Sequence, residues 1–168
     1  MFAKGDYIVY GSTGICVIED ITTMELPGIA KDRLYYVMQP YHQAGNRIFT
    51  PVDNPKMTLR RIMTREEVLD LIDEIPSIEQ IGIVEEKLRE QRYKEYIRSC
   101  ECRNWIRIMK TLYHRKQERV LQGKKVTATD ERYFKMAEDN LYTEFSISLD
   151  LPKQEIESYI AAKIEETA

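Results

Sequence analysis

The sequence has few of the residues that build disulfide-linked or metal-stabilised folds. It contains three cysteines and two histidines in 168 residues. An odd cysteine count does not suit a disulfide framework. Cys100 and Cys102 lack the nearby second pair of Cys or His ligands that a closed zinc site requires. We therefore expect buried free thiols, no bound metal and no cofactor.

Long apolar runs are also missing. No stretch of about 18 apolar residues could span a bilayer. The opening residues, Met-Phe-Ala-Lys-Gly-Asp, contain no apolar signal-peptide core. A chain with 43% apolar residues can still bury one large or two small cores. These features predict a cytoplasmic protein with no membrane contact, which we expect to be a monomer.

Acidic residues are nearly absent from one segment, residues 103–125. It contains eight Lys or Arg and one acid, Glu118, whereas the whole chain has a net charge of −3. Its apolar residues recur at the spacing of an amphipathic helix. They are Trp105, Ile108, Met109, Leu112 and Tyr113. A second stripe, predicted to be a basic ridge, comprises Arg103, Arg107, Lys110 and His114. Gly123 is placed to end the helix.

This charge asymmetry favours a surface that meets a polyanion. A charged helix face is often only a solvated face, so that interpretation stays open. Solvated helices usually alternate charge signs and gain ion pairs three or four residues apart. Residues 103–125 have almost no acids with which to do so.

The first 62 residues show a β pattern. Short runs of β-branched and aromatic residues are separated by turn residues. The expected strands are 6–10, 15–24, 33–38, 47–50 and 57–62. Five short strands in about 60 residues predict a small antiparallel β-barrel of the SH3 or Tudor type.

The hydrophobic period changes from that of a strand to that of a helix at Thr64. Thr64 and Glu67 have the spacing of a capping box, and Pro76 should end the helix that follows. Further helices are expected at 84–100, over the basic segment from 103 up to Gly123, and after the capping pattern Thr127-Ala-Thr-Asp130. A last helix is expected to open with Pro152 in its first turn. The sequence thus predicts an α+β protein with two domains, a β-barrel over 1–62 and an all-α helical bundle over 63–168.

Several motifs spread over the chain match a family pattern. They are Gly5-Asp6-Tyr-Ile-Val-Tyr10 followed by Gly14, Pro51, Arg92-Tyr93-Lys94, Leu112 to Arg119 and Thr127 to Arg132. With them the sequence resembles the CarD/CdnL family of bacterial transcription regulators. Its N-terminal part also resembles the RNA polymerase-interacting domain of the transcription-repair coupling factor. The resemblance implies a Tudor-like domain that binds the polymerase β subunit and a helical domain that contacts promoter DNA. The DNA contact would lie at the upstream edge of the melted bubble and stabilise the open complex.

The resemblance also implies where polymerase is bound, at the end of the second strand and on the fourth strand. The matching residues are Met24, Glu25, Leu26, Ile48, Phe49 and Thr50. Some family members have arginine in place of Met24 and Phe49, so the interface is expected to be more apolar here. Strand alternation alone also allows Phe49 to be a barrel-core aromatic, with Ile48 and Thr50 facing the other way.

DNA contacts are expected mainly at phosphates, with little sequence specificity and a steep salt dependence. The resemblance implies Arg89, Arg92, Lys94 and Arg132, and the basic segment adds Lys110, Lys124 and Lys125. Leu88 and Arg89 stand where much of the family has a DNA-wedging tryptophan. Trp105 is the single tryptophan. Its helical spacing favours core packing over a wedge.

Two other functional classes are open at this point. One is a protein–protein adaptor whose basic helix binds an acidic partner. The other is an enzyme, but the two histidines are far apart and no nucleophile elbow or phosphate loop is present. Adjacent acids such as Glu66 and Glu67 point about 100° apart on a helix. We therefore expect a protein without catalytic activity.

Overall fold

The computed structural model describes residues 1–11, 13–53, 58–83 and 85–167. The chain divides into two units, Met1–Ile62 and Met63–Ala168, called here the sheet unit and the helical unit. Met57 and Val84, the predicted first residues of a strand and a helix, lie outside the described residues.

Five antiparallel strands form one sheet in the sheet unit, as predicted. They are β1 (Tyr7–Tyr10), β2 (Gly14–Thr23), β3 (Leu34–Pro40), β4 (Ile48–Pro51) and β5 (Leu59–Arg61). Their order across the sheet is β4-β3-β2-β1-β5. Among the described residues, one hydrophobic core cluster comprises the buried side chains of Ile8, Tyr10, Cys16, Ile18, Tyr36 and Met38.

The sheet is open, so the predicted small β-barrel is not closed. Closure requires the two outer strands to pair with each other. Within the described residues, β4 pairs only with β3, and β5 pairs only with β1. A register shift between Ile18 and Asp20 in β2 marks a bulge or irregularity. Because the sheet does not close, β4 is an edge strand.

The described part of the helical unit contains five α-helices. They are α1 (Arg65–Glu74), α2 (Arg89–Arg98), α3 (Cys102–Leu121), α4 (Ala128–Leu149) and α5 (Ile156–Thr167). Short 3-10 turns cover Ile75–Ser77, Glu86–Leu88 and Lys153–Glu155. The predicted helix at 84–100 is therefore shorter than expected. Cys100 has a φ of 60° in the break between α2 and α3. No helix in the described ranges is long and apolar enough to cross a membrane.

The helix ends follow the predicted capping chemistry. Thr64 Oγ1 accepts the Glu67 N–H at 3.2 Å, and the Glu67 carboxylate accepts the Thr64 N–H at 3.4 Å. At the end of α3, Gly123 has a φ of 72° and donates to Val120 O. The next N–H, that of Lys124, reaches Arg119 O at 2.8 Å. This pair of bonds is a Schellman motif. The capping box and the role of Gly123 are confirmed.

Trp105 lies at the centre of the helical core, as its spacing predicted. Its side chain is fully buried, and its Nε1–H donates to Ile97 O at 3.3 Å. Tyr113 was predicted on the same buried stripe, but it is 60% exposed. The reason is that the packed part of α3 ends at Leu112. None of residues 113–125 is buried, and we call this segment the α3 tip.

Candidate functional site

Two of the three cations in the first half of α3, Arg103 and Lys110, are engaged within the helical unit. Lys110 Nζ donates to Ile75 O and, at 2.7 Å, to Ile78 O. These carbonyls lie in and directly after the 3-10 turn Ile75–Ser77 that follows α1. Burial lowers the pKa of Lys110. Arg103 forms an ion pair with Glu74. The predicted basic ridge is therefore not a stripe of free cations, because Lys110 supports the end of α1.

A second set of contacts holds Arg89 inside the unit. Arg89 lies 3.0 Å from Glu86 and donates to Tyr93 Oη at 2.9 Å, with only 20% of its side chain exposed. Arg115 lies 2.8 Å from both Glu86 and Asp130. Hydrogen bonding from Arg115 is the main reason that the pKa of Glu86 is lowered. Arg115 joins α3 to Asp130 of α4 and to Glu86 of the 3-10 turn before α2, and Arg89 joins that turn to α2. Their geometry therefore gives both a structural role.

Three of the predicted DNA contacts lie at the surface but are paired with carboxylates of the same unit. Arg92 lies 3.2 Å from Glu95, whereas Arg132 and Lys94 lie 2.9 and 3.9 Å from Glu90. These side chains are between 41% and 59% exposed. Exposed pairs contribute at most about 1 kcal/mol each, so they can open when a competing anion arrives.

The α3 tip contains four cations that form no ion pair with an acid among the described residues. These four cations are Lys116, Arg119, Lys124 and Lys125. Arg119 instead donates to the Lys125 carbonyl at 2.8 Å. Beside them Val120 and Leu121 are 57% and 87% exposed. Sequence reasoning named Lys124 and Lys125 as contacts but not Lys116 and Arg119, although all four belong to the acid-poor segment.

Phe49 projects from the edge strand of the sheet unit. It pairs in register with Val37, and its side chain is 46% exposed, so it is not a core aromatic. Its neighbours face the other side, where Thr50 is buried and Ile48 packs against the core. The side chains of Ile48 and Thr50 are consequently unable to reach a partner that covers Phe49.

A shallow depression surrounds Phe49. It has a volume of about 350 Å³ and is lined by Glu19, Asp20, Thr22, Val37, Arg47 and Phe49. Arg47 lies 3.4 Å from Glu19 across this surface. An aromatic side chain with a charged rim has the composition of a protein-binding hot spot. The described residues contain no group of three or more His, Cys, Asp or Glu that could hold a metal ion.

The comparison with known protein families bears on the sheet unit. Residues 2–63 match the model of the CarD-like/TRCF RID domain. The sheet unit is a CarD-like/TRCF RID domain. This assignment implies an interaction with RNA polymerase. The match ends where the helical unit begins, and a comparison of the chain with curated proteins gives no match.

The RID domain places the other predicted polymerase contacts beyond the end of β2. Leu26 is 49% exposed, Glu25 is exposed and Met24 is half-buried. Leu34, which sequence reasoning missed, is 42% exposed and pairs with Thr23. Its carbonyl also accepts the Val52 N–H, directly after β4. Leu34 therefore lies between the two predicted contact regions. Leu34 alternates with the core residues Tyr36 and Met38, so strand spacing gave no indication that its side chain is exposed.

Proposed function

We propose that this chain is a CarD-like, cytoplasmic bacterial transcription regulator without catalytic activity. Its RID domain binds the β subunit of RNA polymerase. Its helical unit, a bundle in this proposal, binds promoter DNA near the upstream edge of the bubble and stabilises the open complex. The observation that carries the proposal is that one chain joins a RID domain to a unit whose α3 tip has four cations that pair with no acid among the described residues.

Polymerase binding is proposed at β4 and the surface around Phe49. An edge strand offers backbone N–H and C=O groups to which a partner strand can be added. Phe49 supplies an exposed aromatic anchor beside that edge. Ile48 and Thr50 would contribute through the backbone alone, because their side chains face the core. Leu26 and Leu34 extend the apolar surface.

DNA binding is proposed at phosphates. The α3 tip cations would contribute most, since they need not give up an internal ion pair. Arg92, Lys94 and Arg132 would join after their exposed pairs open. We leave Arg89 and Lys110 out of the DNA surface, because both are engaged inside the unit. Phosphate contacts orient a protein on DNA without reading its bases, so specificity for sequence should be low.

Tethering to polymerase would allow this small DNA-binding surface to act at the promoter. A RID domain bound to polymerase raises the effective concentration of the helical unit at the promoter. The open complex gains stability only if the DNA contacts favour it over the closed complex. The combined test is the lifetime of open complexes with purified polymerase. Loss of polymerase binding should shorten that lifetime to the value without the protein, even when DNA binding is intact.

Reversing the charge at Lys124 and Lys125 tests the DNA surface. We expect the Lys124→Glu/Lys125→Glu variant to bind duplex DNA at least tenfold more weakly. The slope of log affinity against log salt should become shallower by about two, because two phosphates are no longer neutralised by the protein. The measurement is fluorescence anisotropy of a labelled duplex over a salt series.

A charge-matched control separates this local effect from net charge. Lys4→Glu/Lys31→Glu makes the same change in total charge at two exposed positions of the RID domain. It should leave the salt slope nearly unchanged. Equal losses in the two double variants would contradict a DNA surface at the α3 tip.

An adaptor that binds an acidic protein is the second candidate. The exposure of Val120 and Leu121 beside the tip cations favours it, since a mixed apolar and basic surface also suits an acidic protein. Co-elution distinguishes the two functions. A transcription regulator should elute with core RNA polymerase at low and moderate salt, whereas the adaptor should elute with a different complex.

A further inference from the structure

Three donor groups converge on one oxygen of Glu90. The Arg132 Nη2 and Tyr133 Oη groups donate to Glu90 Oε1 at 2.9 and 3.1 Å. Lys94 Nζ lies 3.9 Å from the same atom. Glu90 and Lys94 belong to α2, one turn apart, whereas Arg132 and Tyr133 belong to the first turns of α4. The cluster is therefore assembled by the packing of two helices.

The donor set around Glu90 suits an anionic phosphate oxygen. A guanidinium, an ammonium and a hydroxyl group are the donors that proteins commonly direct at phosphodiester oxygens. The Arg132 guanidinium also lies over the Tyr133 ring, 5.0 Å from its centroid, which orients it. Burial is the main reason that the pKa of Tyr133 is raised, so its hydroxyl keeps its proton and donates. A carboxylate now occupies the position at which such an oxygen would be held.

We propose that Lys94, Arg132 and Tyr133 form a phosphodiester-binding site that Glu90 occupies in the free protein. Glu90 is then an internal competitor that weakens DNA binding by the helical unit. This inference rests on the proposed function, because the ligand is a nucleic acid phosphate. It adds that the strength of binding is limited by one carboxylate of the protein itself.

The solvent exposure of the cluster determines how strongly Glu90 weakens DNA binding. Arg132, Lys94 and Glu90 are 59%, 52% and 45% exposed, so solvent screens their pairing and a phosphate can displace the carboxylate. After displacement, the negative charge of Glu90 stays close to the bound phosphate and repels it. Removing this charge should strengthen binding by roughly three- to tenfold at moderate salt. The salt slope should steepen by about one for each additional phosphate that the protein neutralises.

Glu90→Gln in the full chain tests the inference. The substitution keeps the shape of the side chain but removes its charge. The probe is a labelled duplex of random sequence, titrated by fluorescence anisotropy at several salt concentrations. We expect tighter binding and a steeper slope than in the wild-type protein. Glu165→Gln, at an exposed position on α5, makes the same change in net charge and should alter affinity less than twofold.

A double-mutant cycle locates the effect at the cluster. If Glu90 acts by occupying Arg132, the gain from Glu90→Gln should fall substantially in an Arg132→Gln background. Glu90→Ala should give the same results, and it provides a second variant should the glutamine form fold poorly. A gain that persists undiminished without Arg132 would overturn the inference.

The failures of the two proposals are distinguishable. If the wild-type protein binds DNA and Glu90→Gln behaves like Glu165→Gln, the internal competitor is refuted and DNA binding stands. If no variant binds the duplex at low salt, the proposed DNA-binding function itself is refuted, and the inference falls with it.

Discussion

Phe49→Glu is expected to weaken binding to RNA polymerase by roughly 30- to 100-fold. Phe49 is the exposed aromatic of the edge strand, 46% accessible in the free protein. Truncating a central anchor of an interface commonly costs about 2 kcal/mol or more. Glutamate adds the cost of burying a charge without a partner. The measurement is equilibrium binding of the full chain to purified core polymerase, supported by a pull-down.

Tyr41→Glu is the matched control for this experiment. Tyr41 is an aromatic residue of the same RID domain with almost the same exposure, 45%, but it follows the end of β3. The same change of charge at Tyr41 should reduce polymerase binding less than threefold. DNA binding in the absence of polymerase should be unchanged in both variants. Undiminished binding by Phe49→Glu, or equal losses at the two positions, would rule out β4 as the docking edge.

Features determined by neighbouring residues could be predicted from the sequence. The capping box at Thr64 and the left-handed Gly123 depend on contacts within six residues. Strand identity followed from β-branched runs between turn residues. The burial of Trp105 followed from its helical spacing with Ile108 and Leu112. In each case the local pattern and the tertiary packing favour the same outcome, so a short window of sequence was sufficient.

Features that depend on residues far apart in the chain could not be predicted. Lys110 matched the basic stripe by spacing, yet its ammonium group binds carbonyls 32 and 35 residues earlier. Glu90 and Arg132 are 42 residues apart. Their pairing depends on how α2 packs against α4, which periodicity does not specify. The open sheet is a similar case, because strand patterns give the number of strands but not whether the outer two meet.

Glu144 shows that the sequence sometimes contained a usable signal that was missed. This carboxylate is fully buried in the helical unit. It accepts the Met63 N–H at 2.8 Å and the Cys102 thiol at 3.3 Å. Glu144 follows Leu141 by three residues and precedes Phe145 directly, so helical spacing places it on the buried face of α4. An acid at such a position requires hydrogen-bond donors, and here they fix the start of the unit.

Trp105→Ala is expected to destabilise the helical unit by about 3–5 kcal/mol, the usual cost of removing a large buried aromatic. Trp105 is fully buried, and the substitution also leaves Ile97 O without the indole donor. Urea unfolding followed by circular dichroism measures the loss. Because the RID domain is a separate unit, polymerase binding should persist.

Trp105→Phe is the control variant. It keeps most of the ring volume, so it should destabilise the helical unit less than Trp105→Ala and leave the DNA affinity of the folded protein nearly unchanged. If Trp105 instead contacted DNA, both variants would stay stable and lose DNA affinity, and that pattern would contradict its role in the core.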